Sequence, residues 1–140
     1  EIYKFKKKKT NKNLFLNENI PYAGLPKVML KMDILTIPYT KIIKSGGGVD
    51  EISKYTSPLK LFDYLACGKI IISSDLKVFR EVINSRNAYF VKNYENIFEW
   101  KKNIKMAKNN KKKNLIMSIN NFRLSKKYDH FKRVKKYIWF

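Results

Sequence analysis

Ser57, Pro58, Leu59 and Lys60 are the residues whose types and order best suit chemistry. Ser57 can cap a helix, and Pro58 fits the first helical position, where its missing N–H costs nothing. The first backbone N–H groups of such a helix have no intrahelical partners and point at any anion placed there. Lys60 adds a cation to the same spot. Upstream, Gly46, Gly47 and Gly48 lie in a connection over residues 39–56. Glycines there permit close backbone approach to a ligand. A connection of that length is either a binding loop or a mobile surface segment, and the sequence leaves both readings open.

Other chemistries lack their residues. No G-x-x-x-x-G-K-[ST] phosphate loop and no G-x-S-x-G nucleophile elbow is present. Gly46–Gly48 is not a G-x-G-x-x-G dinucleotide fingerprint. One cysteine, Cys67, and one histidine, His130, exclude an internal disulfide and a cysteine-cluster zinc site, so no metal is expected. Cys67 falls in the apolar part of a helix and reads as inert packing. The acidic pairs Asp50-Glu51 and Glu95/Glu99 read as solvent-facing.

The elements that must position the Ser57 helix follow from periodicity. Leu59, Phe62 and Ala66, with Leu61 and Leu65 beside them, give the helix an apolar stripe, and Gly68 stops it. Ile70, Ile71 and Ile72 then form a strand apolar on both faces, which is the mark of a covered parallel strand. Leu14–Leu16, Ile34–Ile37 and Ala88–Val91 read as further strands. Helices are expected over about 22–32, after a cap at Asp75, and over about 94–109 with Ile97, Trp100, Ile104 and Ala107 inward. A break is expected at Asn109–Lys113, followed by helices at Leu115–Phe122 and about Ser125–Tyr137. Alternation of this kind predicts an α/β fold: a Rossmann-like parallel sheet with helices on both faces. Ligands of such sheets bind outside the carboxyl ends of the strands.

The chain has 140 residues and a net charge of +20, and 44% of its residues are hydrophobic. That is enough for one domain with a core and too much for disorder. The charge is unevenly spread. Residues 1–16 carry +5, residues 17–100 only +2, and residues 101–140 carry +13. Lys outnumbers Arg 27 to 4, whereas Arg is the usual residue for specific phosphate and base recognition. A nucleic-acid partner is therefore not favoured. Residues 126–140 form a basic, aromatic terminal helix that either packs on another domain or lies on an anionic membrane surface. No apolar run reaches the length of a membrane span.

The ordered set Ser57-Pro58-Leu59-Lys60, Asp63-Tyr64, Ala66, Gly68-Lys69, Ser73-Ser74-Asp75, Arg80-Glu81-Val82 and Tyr89-Phe90-Val91 resembles the C-terminal, donor-binding domain of GT-B glycosyltransferases. The likeness is to the family 4 (glycosyl transferases group 1) type. Upstream, Pro26, Met29 and Met32–Tyr39 are similar to that family's helix and strand before the donor loop. The match runs over about residues 14–105. It implies that the amides at Ser57–Leu59 approach the diphosphate of a nucleotide-sugar donor. It implies that Lys60 neutralises diphosphate charge and that Asp63 bonds the ribose hydroxyls. Asp63 stands where the family has Glu and reaches about 1.5 Å less.

The resemblance also implies transfer to an acceptor hydroxyl of a saccharide or lipid-linked saccharide, with retained configuration and neither metal nor other cofactor. A cytoplasmic location, peripheral at the inner membrane face, goes with it. The family's second Glu, eight residues before the first acid, corresponds to Tyr55, so Tyr55 and Gly46–Gly48 are the expected donor-loop contacts. No basic diphosphate-binding pair and no N-terminal acceptor domain is matched. The expectation is thus a single transferase C-terminal-like domain over 1–140, the donor half of an enzyme, inactive alone and without an assignable catalytic residue. The alternatives are a non-catalytic transferase-like module or a basic nucleic-acid or membrane-surface binding protein.

Overall fold

The computed structural model describes residues 20–40 and 59–128. A 3₁₀ turn at Tyr22–Gly24 leads into helix α1 (Leu25–Leu30) and strand β1 (Ile34–Ile37). Helix α2 (Leu59–Ala66), strand β2 (Ile70–Ser74), the short helix α3 (Lys77–Arg80) and strand β3 (Ala88–Val91) follow. Helices α4 (Ile97–Asn109) and α5 (Lys111–Ser125) and a 3₁₀ turn at Lys126–Tyr128 complete the described residues. The expected strand at Leu14–Leu16 and the terminal helix beyond Tyr128 lie outside them.

The strands form a parallel sheet in the order β1-β2-β3, with Leu35 opposite Ile71 and Ile71 opposite Ala88. All five residues of β2 are buried: the apolar run Ile70–Ile72 predicts it for three, and Ser73 and Ser74 are buried with their hydroxyls donating to Ser74 O and Ile37 O. Alternation sends Ile37, Ile71 and Ala88 to one face, where they meet Leu61 and Leu65 of α2 and Phe79 of α3. Ile70, Ile72, Tyr89 and Val91 point the other way, onto Ala107 of α4 and Met117 of α5. The fold is therefore α/β, a parallel sheet with helices on both faces.

The turn that joins α2 to β2 is built as the sequence implies. Gly68 has φ +59°, its N–H donates to Leu65 O (2.9 Å), and Lys69 N–H donates to Tyr64 O (3.3 Å). This is the Schellman arrangement, in which a left-handed residue closes the last turn. Helix α5 passes the amino ends of the strands and is tied there by amides. Asn121, fully buried, donates from Nδ2 to Lys69 O (2.8 Å) and Asn87 O (2.9 Å) and accepts from Asn87 Nδ2 (3.0 Å). Ser118 donates to Gly68 O (2.5 Å), so the helix reaches the same turn twice.

Several local expectations are corrected. Asp75 does not cap α3. The N-cap is Leu76, without a side-chain bond, because the Asp75 carboxylate is taken by Arg80. Leu59 and Ala66 are exposed, and the buried stripe of α2 is Leu61 and Leu65. Ile97 and Ile104 are exposed too, since Trp100, Asn103 and Ala107 form the covered side of α4. The break between the last helices is one residue, Asn110, whose side chain accepts from Lys113 N (3.2 Å) and starts α5 four residues early. Glu99 is not free in solvent: its carboxylate accepts from Asn93 N (3.0 Å) ahead of α4.

Candidate functional site

The carboxyl ends of the three strands converge on Tyr39, Asp75 and Lys92. Parallel pairing dictates this, because each strand runs the same way and each helix returns the chain to the amino end. Ser74 Oγ donates to Ile37 O (3.4 Å) and Asp75 N–H donates to Val91 O (2.9 Å), which holds the three strand exits together. Helix α2 starts at this same rim. Lys60, in its first turn, holds its ammonium 5.9 Å from the centre of the Tyr39 ring, and that ring packs edge-on to Phe79 (5.5 Å).

Leu59, Lys60 and Asp63 are the predicted site residues within the described structure. Leu59 is exposed at the start of α2, Lys60 is exposed above Tyr39, and Asp63 is half-buried one turn further on. Ser57, Pro58, Tyr55 and Gly46–Gly48 lie outside the described residues. Asp63 has a partner the sequence did not indicate. Tyr22 Oη donates to Asp63 Oδ1 at 3.3 Å, across 41 residues of sequence. The carboxylate raises the Tyr22 phenol above its usual pKa by its charge and by that bond. A carboxylate offers about four acceptor positions, so Asp63 retains capacity for a diol while Tyr22 is bound.

A second cluster occupies the rim beyond β2. Arg80 donates to Asp75 from two of its guanidinium nitrogens, Nε to Oδ1 at 2.6 Å and Nη2 to Oδ2 at 2.9 Å. The guanidinium also stacks 3.5 Å from the centre of the Phe90 ring. The bond to Arg80 holds the Asp75 carboxyl below its ordinary pKa, against the opposing effect of burial, and the charges of Arg80 and Lys92 add to it. Sequence reasoning placed Arg80 only within a matched motif; an arginine five residues after an aspartate at a strand end was the available signal. Tyr22 left no signal, because its bond spans two separate elements.

Cys67 is half-buried, and burial and the nearby Asp63 charge push its thiol up, opposed by Lys69. A raised thiol pKa lowers the thiolate fraction and so the nucleophilicity at neutral pH. Among the described residues no group of three or more His, Cys, Asp or Glu side chains could hold a metal. A cleft of about 470 Å³ opens at the opposite, amino end of the sheet, lined in part by Arg86, Lys112, Lys113 and Ile116. It lies away from the strand exits, where parallel sheets place their ligands. No family model, no curated protein and no solved structure matches the chain. Among the described residues no helix is long and apolar enough to cross a membrane.

Proposed function

We propose that this chain is the donor-binding half of a glycosyltransferase and holds a nucleoside-diphosphate sugar at the rim where α2 begins. The observation that carries the reading is the joint placement of Lys60 and Asp63. One helix brings a cation to the carboxyl end of a parallel sheet and a half-buried carboxylate one turn behind it. The spacing suits a ligand with a negatively charged group and a vicinal diol. The diphosphate meets the start of the helix and Lys60, where dipole and charge act together. The ribose reaches Asp63, and Tyr22 orients that carboxylate. In the transfer step this half would stabilise the negative charge that develops on the departing diphosphate. The sugar passes to an acceptor hydroxyl held by a second domain.

Calorimetric titration with UDP and GDP tests the reading. Weak binding is expected in the millimolar range, unchanged by EDTA. Asp63→Ala should weaken it about tenfold, the worth of a hydrogen bond to a charged group. No heat at millimolar nucleotide, or equal binding by the Asp63 variant, would contradict it.

A further inference from the structure

Helix α5 meets the domain with one buried apolar residue, Met117, flanked by polar ones. Its inward side carries Asn114, Ser118 and Asn121, which spend their hydrogen bonds on the body of the domain: Asn114 on Ala107 O and the Tyr89 hydroxyl, Ser118 on Gly68 O, Asn121 on Lys69 O and Asn87 O. Its outward side carries Leu115, Ile119 and Phe122 at successive helical spacing, 65%, 43% and 50% exposed. An isolated exposed leucine is ordinary, but an aligned apolar stripe on the solvent side of a helix marks a surface that something covers.

Charge identifies the cover. Residues 97–128 hold ten cations against Glu99 alone. Three of them, Lys111, Lys112 and Lys113, fill the first turn of α5, where the helix dipole repels positive charge. A second copy of so basic a face would be repelled. Nucleic acid would satisfy the cations but not the aliphatic Leu115 and Ile119 of the stripe. We propose that the outward face of α5 docks on an anionic lipid bilayer, with Leu115, Ile119 and Phe122 among the acyl chains and the lysines among the headgroups. Lysine stems lie along apolar surface while their ammonium groups reach phosphate, so the two halves of the face act together. This inference is independent of the nucleotide reading.

Co-sedimentation of the full chain with vesicles tests it. Binding to equal phosphatidylglycerol and phosphatidylcholine should exceed binding to phosphatidylcholine alone by at least about tenfold, and should weaken at high salt. Ile119→Lys removes an apolar group while adding a cation, so it separates insertion from charge attraction. It should lower anionic-vesicle affinity several-fold, and Leu115→Ser should do the same with circular dichroism unchanged. Four results would overturn the proposal: no vesicle binding, binding indifferent to both variants, preference for RNA or DNA over the anionic vesicles, or a dimer that Leu115→Ser dissociates.

Discussion

At the scale of single residues, two polar contacts carry more than their appearance in the sequence suggests. Asn121 is fully buried and uses both amide protons and its oxygen to join α5 to the amino ends of β2 and β3. Replacing it strands two strand-end carbonyls and the Asn87 amide in a place water reaches poorly. Asn121→Leu is expected to destabilise the domain by about 2–3 kcal/mol in urea unfolding, within the range for buried unsatisfied groups. Asp75 and Arg80 form a tighter but wetter pair, with side chains 20% and 40% exposed. Exposure limits its worth to about 1 kcal/mol or less. The Asp75 carboxyl is depressed in the fold, so its contribution is present above the ordinary value of 3.8 and lost as pH falls through the depressed value. Asp75→Asn should therefore flatten the acid side of a stability-versus-pH curve and leave the neutral region nearly parallel to wild type. Cys67 offers a third check. With its thiol pushed up by burial, it should react with a disulfide reagent at neutral pH more slowly than a free cysteine.

At the scale of elements, the turn at Gly68 is the most exposed to mutation. A Cβ there would meet Phe122 Cβ and Ser118 O at 3.5 Å, an ordinary contact, so space is not the obstacle. The φ of +59° is. Gly68→Ala should cost about 1–2 kcal/mol by thermal or urea unfolding, the penalty of a left-handed residue with a side chain. Sequence patterning reached this turn, the buried β2 and the alternation of strands and helices, because each depends on short-range periodicity or on glycine. It failed where polar residues face inward. Asn109 to Lys113 read as a break, so the helix was expected only over Leu115–Phe122, whereas α5 runs Lys111–Ser125 and turns Asn114, Ser118 and Asn121 inward beside Met117. Ile97 and Ile104 misled in the opposite sense, since hydrophobicity alone does not say which side of α4 meets the sheet. At the candidate site, Lys60 and Asp63 stand on the helix that the sequence indicated. The Tyr22–Asp63 bond was illegible because nothing local couples a tyrosine to a carboxylate 41 residues away.

At the scale of the whole molecule, the two ends of the sheet have different characters. The carboxyl end gathers Tyr39, Lys60, Asp63 and the Asp75–Arg80 pair around the start of α2, a small polar rim of mixed charge. The amino end is closed by α5, whose outer surface is basic and apolar. The first is the proposed nucleotide site and the second the proposed docking face, two separate surfaces. The most direct test of the nucleotide site is an amide NMR titration of the full chain with UDP. Concentration-dependent shifts are expected to concentrate at Lys60, Asp63, Tyr22 and Tyr39, with small shifts over Leu115–Phe122. Shifts confined to the lysines of α4 and α5, with Lys60 and Asp63 unmoved, would contradict the proposed site.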